Sequence, residues 1–183
     1  MLYIVECGFA DPDQESAWNE WYSGPKLSVL LAVPGFLSAQ RFRALDGDKS
    51  PYLNLTSIES AEMFTNPSYH SQGGGRFGPW DLALIIDWRR LLFTGIEEMP
   101  LVPENHCLVR LDCAPEQAPE LGIALSWVKG VDWTTASNYG DGAALDSSVP
   151  HRGLSIIDME MAKTLPPVPG LRVYEPICPK RVT

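Results

Sequence analysis

The segment Leu2 to Cys7 is apolar and β-branched, the pattern of a first sheet strand. Asp11-Pro12-Asp13-Gln14 then carries a helix-start signature: a capping aspartate, a proline at the first helical position and a glutamine three residues on. The predicted helix runs to about Tyr22 and sets Trp18, Trp21 and Tyr22 on one face at i, i+3, i+4. Ser23-Gly24-Pro25 predicts an interruption, after which Leu27, Leu30 and Leu31 form a second apolar stripe that Pro34-Gly35 ends. The strand Phe36 to Arg43 follows. Its faces hold Phe36, Ser38, Gln40 and Phe42 against Leu37, Ala39, Arg41 and Arg43. A polar hairpin loop over Asp46 to Pro51 leads to a returning strand, Tyr52 to Ile58. Tyr52, Asn54 and Thr56 share one of its faces. A short helix with Met63 and Phe64, ended by Asn66-Pro67, a glycine-rich loop and the apolar run Leu82 to Phe93 complete a β-α-β-β-α-β order.

After a linker the plan repeats in divergent form. Cys107 to Leu111 mirrors Tyr3 to Cys7, and Ala114-Pro115-Glu116 opens a helix as Asp11-Pro12-Asp13 does. Trp127 to Val131 mirrors the turn Ala32 to Phe36. Trp133 to Tyr139, Leu154 to Glu160 and Leu171 to Glu175 are the remaining strands. Pro166, Pro167 and Pro169 leave little room for a full second helix. The expected fold class is α+β: two ferredoxin-like βαββαβ units with antiparallel sheets packed into an α+β barrel. Residues 1–95 form the first unit, 96–104 the linker and 105–183 the second unit. A βαββαβ unit covers one sheet face with helices and leaves the other bare, so two units can close on each other with a pocket between the sheets. The face of Tyr52, Asn54 and Thr56 is expected to look into that pocket.

The motifs W-N-x-W-Y-x-x-x-K-L, V-P-G-F-L-x-A-x-R-F-R and P-Y-L-x-L resemble the dimeric α+β barrel superfamily, and within it the EthD-like subgroup. The resemblance spans Leu2 to about Trp88. It implies a setting used by cofactor-free monooxygenases, lactone isomerases, polyketide cyclases and dehydratases, haem enzymes and proteins of unknown role. Many EthD-like members carry a histidine where this chain has Lys26, four residues after Tyr22. A lysine there can bind a carboxylate or, if desolvated, act as a base.

Composition narrows the classes. Of 183 residues, 45% are hydrophobic and 20% charged, enough apolar material for a packed core without staples. The net charge of −9, with no basic run, argues against nucleic acid as a partner. No apolar run approaches a membrane span, the N-terminal stretch has no signal or transit pattern, and the four cysteines form no C-x-x-C. A cytoplasmic protein with free thiols is expected, with no membrane association and a homodimer as an option.

Candidate chemistry starts with His70, beside the glycines, because imidazole titrates near neutrality. It is the expected acid–base group, with Tyr22, Lys26 and Arg41 orienting charge. Trp21, Arg43, Asn54, Tyr69, Arg76, Trp80 and His151 are candidate substrate-binding residues. Arg76, Phe77 and Trp80 also make a candidate lid. Each has a plain alternative: the aromatics as helix core, the arginines as edge cations, the histidines as solvated loop residues. Glu6 and Asp87, in apolar strands, are candidate bases or ion-pair partners. The three histidines have no zinc spacing, so neither a metal nor an organic cofactor is expected. The expected activity is that of a lyase or isomerase: proton transfer (isomerisation, dehydration, decarboxylation or cyclisation) on a hydrophobic cyclic or aromatic carbonyl or carboxylate compound. The alternatives are a cofactor-free or haem-dependent monooxygenase of the same fold, or a non-catalytic ligand-binding barrel.

Overall fold

The computed structural model describes residues 1–46, 50–72, 74, 76–131 and 145–183. Its strands are β1 (Leu2–Phe9), β2 (Phe36–Ala44), β3 (Tyr52–Ile58), β4 (Ile85–Thr94), β5 (His106–Leu111), β6 (Ser126–Gly130), β7 (His151–Asp158), β8 (Leu171–Pro176) and β9 (Arg181–Val182). The helices are α1 (Glu15–Trp21), α2 (Leu27–Leu31), α3 (Pro67–Ser71) and α4 (Met159–Ala162), and short 3-10 turns lie between them. All strand pairs are antiparallel. The first half runs β2-β3-β1-β4 in space and the second runs β6-β7-β5-β8, the same order. Pairing of β4 with β6 and of β2 with β8 joins the halves edge to edge and closes an eight-stranded barrel within one chain. The fold is an α+β barrel.

The barrel interior is filled. Leu2, Ile4, Phe42, Leu53, Leu55, Leu91, Phe93, Leu108, Val128, Leu154 and Tyr174 pack there, and Met99 and Val102 of the linker plug one end. The plug is pinned by polar bonds: Gln40 Nε2 donates to the Val102 carbonyl at 2.8 Å, and Ser57 Oγ accepts from the Met99 N–H at 3.0 Å. Among the described residues, apolar side chains occupy the space between the sheets where a ligand pocket was expected. Tyr52, Asn54 and Thr56 also face the other way. Cross-strand pairing puts Asn54 beside Val5 and Arg41, on the face that α1 and α2 cover, while Leu53 and Leu55 point inward. Strand alternation had separated the two faces of β3 correctly, whereas the bulge between Phe36 and Ser38 puts Phe36 on the Ala39 side of β2, and only closure decided which face is inside.

Several local expectations change. The 3-10 turn Pro115–Gln117 and the four-residue α4 replace the second unit's helices. Trp127 lies within β6 rather than in a turn. The strand expected over Trp133 to Tyr139 lies outside the described residues. Asn66-Pro67 ends the 3-10 turn Ala61–Thr65, as expected, and also begins a helix: the Asn66 side chain accepts from the Ser68 N–H at 2.8 Å, so Tyr69 and His70 sit on α3. The helix after β1 starts at Glu15, because Asp11 to Gln14 forms a turn closed by Asp11 Oδ1 and the Asp13 N–H. No helix among the described residues is long and apolar enough to cross a membrane.

Candidate active site

Ser23-Gly24-Pro25 does not stop the first helix. The chain continues from Tyr22 to Lys26 as a π turn, in which the Leu27 N–H reaches back five residues to the Tyr22 carbonyl. Pro25 supplies the reason: it has no N–H to give to Trp21, so the bonding pattern slips by one residue and the turn widens. α1, the π turn and α2 then lie as one continuous element across the outer face of the first half of the barrel. Trp18, Tyr22, Leu27 and Leu30 are buried against it.

Between that element and the sheet lies a cleft lined by Tyr3, Val5, Tyr22, Lys26, Leu30, Tyr69, Arg76, Phe77 and Trp88. The cavity volume is about 20 Å³, room for roughly one water, so a ligand of aromatic size enters only if the lining parts. Gly78, next to Phe77 in the chain, has φ +58, and a Cβ there would come within 2.5 Å of Trp21 Cζ2. Only glycine fits this packed left-handed corner.

Tyr22, Lys26, Tyr69 and Arg76, four of the residues singled out from sequence, meet in this cleft. Lys26 is 8% exposed. Desolvation lowers its ammonium pKa from 10.5 to about 8. Burial pushes the phenols of Tyr22 and Tyr69 well above the usual tyrosine range, so both stay protonated as hydrogen-bond donors. Among the described residues the lining carries lysine and arginine and no carboxylate.

Tyr3 and Arg90 went unnoticed as site residues in the sequence, as did the lining residues Val5, Leu30 and Trp88. Arg90, fully buried, donates from Nε to the Tyr3 hydroxyl at 2.9 Å and from Nη2 to the Tyr69 hydroxyl at 3.3 Å. The guanidinium polarises both phenols, and Tyr69 is also hydrogen-bonded to Tyr3, so one O–H of the pair is left for a group in the cleft. The available signal was Arg89-Arg90, two adjacent cations inside the most apolar run of the chain. Alternation sends Arg89 into the barrel beside Glu6 and Arg90 to the helix side beside Val5.

The remaining candidates lie elsewhere. His70 is the residue after inward-pointing Tyr69 on α3; it is half-buried and does not line the cleft. His151 begins β7 in the second half, and Trp21 and Trp80 pack beside the cleft against each other. Arg43 is exposed in a separate depression with Asn19, Glu20 and Tyr52. Asn54 Nδ2 donates to Thr56 Oγ1 under the helices. Glu6 pairs with Arg89, Arg110 and Arg152 inside the barrel, not with Arg41 or Arg43. Asp87 is exposed at a strand irregularity. Among the described residues no cluster of His, Cys, Asp and Glu is arranged to hold a metal ion.

Arg41 is close to the cleft but not in it. It is fully buried behind Tyr22, its guanidinium carbon 4.2 Å from that ring's centroid and 4.9 Å from Trp18's. It donates to the Asn19 carbonyl (3.0 Å), Asn19 Oδ1 (2.9 Å) and Ser23 Oγ (2.9 Å). Among the described residues no carboxylate pairs with it, and burial lowers its pKa. Arg41 thus clamps α1 and the π turn onto β2. Arg41→Lys keeps the charge and loses the fork, so urea unfolding should show a loss of about 2–3 kcal/mol. A variant as stable as the parent would mean the clamp is dispensable.

No protein-family profile matches the chain, and no curated protein matches it in sequence. The crystal structure of a protein described as anthrone oxidase-like superposes on 99% of this chain and 92% of its own, with a TM-score of 0.57 and 11% identity. The two share a fold. At this identity the likeness extends to the barrel and its layer of helices and to nothing finer.

Proposed function

We propose that the cleft binds an aromatic carbonyl compound and promotes proton transfer from it, with neutral Lys26 as the base and the tyrosine hydroxyls as donors to the developing enolate oxygen. The observation that carries this is the placement of one desolvated amine among aromatic walls, phenols and an arginine, with no carboxylate among the described lining residues. An amine with pKa about 8 is partly neutral near pH 7 and still basic enough to take a proton from an activated carbon. Lys26, rather than His70, takes the base role because only Lys26 lines the cleft. The tyrosines, polarised by Arg90, are suited to charge that builds up on oxygen. The single-chain barrel supports reading residues 1–95 and 105–183 as two ferredoxin-like units, so that the site needs no second copy.

A second reading has its own support in the anthrone oxidase-like neighbour. An anthrone is a tricyclic aryl ketone whose methylene protons are acidified by the carbonyl. Its enolate is a good electron donor, and reaction with dioxygen gives the quinone and water. Deprotonation is the first step in both readings.

Anthrone in D₂O under argon tests the first step. Protein should accelerate loss of the methylene proton signals. Lys26→Met should slow the protein-dependent rate by ~10²-fold or more, and His70→Ala should leave it unchanged. If His70→Ala removes the rate and Lys26→Met does not, the assignment of the base is wrong. Repeating the run in air, with oxygen uptake followed, separates the second reading from the first.

A further inference from the structure

We propose that Lys26 also acts as a nucleophile, forming an imine with aromatic aldehydes that enter the cleft. This rests on the cleft being a carbonyl site, as argued above, but asks for a different act of the same nitrogen. A ketone with an acidic α-hydrogen presents that proton to the amine. An aryl aldehyde has no α-hydrogen, and the amine then faces the carbonyl carbon itself.

The surroundings suit the covalent step. Lys26 stands on the π turn one turn after Tyr22, and both side chains line the same narrow space with Tyr3, Tyr69 and the ring of Trp88. The aromatic and aliphatic walls, including Val5, Leu30 and Phe77, favour a flat apolar ligand and exclude water, which otherwise returns an imine to amine and aldehyde. Burial keeps the Tyr22 phenol protonated. Near pH 7 the neutral fraction of Lys26 exceeds that of an ordinary lysine by roughly two orders of magnitude.

In the step itself the Nζ lone pair attacks the carbonyl carbon, a C–N bond forms, and the carbonyl π pair moves to oxygen. That oxygen takes a proton from Tyr22, and the ammonium nitrogen of the adduct returns one to the phenolate, giving a neutral carbinolamine. A second proton relayed the same way lets the hydroxyl leave as water while the nitrogen lone pair forms the C=N bond. Loss of the remaining N–H proton balances the relay. One amine and one aldehyde give one imine and one water, with no change of oxidation state.

The test is trapping of 2-naphthaldehyde by the full chain with cyanoborohydride, read by intact mass and peptide mapping. One reduced adduct is expected, on Lys26, formed ~10²-fold faster than on an exposed lysine such as Lys163. The rate should saturate with aldehyde and rise with pH through about 8. Lys26→Arg, checked for native circular dichroism, should give no fast adduct. Tyr22→Phe should slow trapping while leaving Lys26 the site labelled. Equal labelling across Lys26, Lys129, Lys163 and Lys180, or a fast adduct that survives Lys26→Arg, overturns the proposal. Anthrone exchange without naphthaldehyde trapping also overturns it and leaves Lys26 a base only. Trapping without exchange supports it while sinking the proton-transfer reading.

Discussion

Replacing Arg152 with methionine should destabilise the protein by about 3–5 kcal/mol in urea unfolding, the largest effect expected from any single polar substitution here. Arg152 is fully buried inside the barrel on β7. Its Nη1 lies 2.8 Å from Glu6 Oε1, Nε lies 2.6 Å from Asp112 Oδ1, and Nη2 donates to Asp112 Oδ2 at 2.8 Å. Arg110 pairs with the same aspartate and lies 3.8 Å from Glu6, and Arg89 bridges Glu6 at 3.6 Å and Asp146 at 2.7 Å. Three arginines thus face three carboxylates. Glu6 and Arg89 belong to the first half of the chain, and the other four groups to the second. Removing Arg152 leaves the 2%-exposed Glu6 without its nearest partner and Asp112 without two bonds. Uncompensated buried charge is what makes such a deletion costly, more than the pair itself is worth. Lys163→Met breaks an exposed pair and serves as the control, with little change expected. A loss below ~1 kcal/mol for Arg152→Met would show that water reaches the cluster.

Lys26→Met should do the opposite to stability while abolishing Lys26-dependent chemistry. The group's pKa is near 10.5 in an unfolded chain and about 8 in the fold. Between those values the unfolded chain binds a proton that the folded one does not, so the wild type gains stability as pH rises from 8 to 10.5. Below pH 8 both states are protonated, and the fold bears the full cost of a buried ammonium. The depression corresponds to on the order of 3 kcal/mol. Methionine, of similar shape and uncharged, removes that cost. At pH 7 the variant should therefore be more stable by up to that amount, and the difference should shrink towards pH 10.5. Urea curves of both proteins from pH 6 to 10.5 measure it. A variant less stable than the parent at pH 7 would mean that the ammonium is well paired and that the amine is ordinary. A residue that weakens the fold and is needed for activity is the pattern expected of a functional group.

Much of the first half was legible because short-range rules govern it. Continuous apolar runs gave β1 and β4 and two-faced patterns gave β2 and β3, the turn at Pro34-Gly35 was where expected, and the βαββαβ order held. The pairing of Tyr22 with Lys26 was not readable from helix periodicity, because Ser23-Gly24-Pro25 reads as a break and only the π turn makes the element continuous. The second half was less legible. Its described helices are single turns, which leave no 3.6-residue pattern to detect, and the residues read as a turn at Trp127 to Gly130 form β6.

By itself, the sequence determined the element order of the first half, the two faces of β3 and the presence of an apolar core. Only the tertiary structure decided which strand face is interior, because alternation is blind to sheet closure. Edge pairing of β4 with β6 and β2 with β8 turned Tyr3, Val5, Arg41 and Asn54 outward under the helices and Glu6 inward. It also decided that Arg90 from β4 meets Tyr3 from β1 and Tyr69 from α3, residues up to 87 apart in the chain. Charges separated by such distances find one another only when the sheet has fixed their register. The site is a product of that register, and its chemistry, an amine starved of water among phenols, follows from the burial that the register imposes.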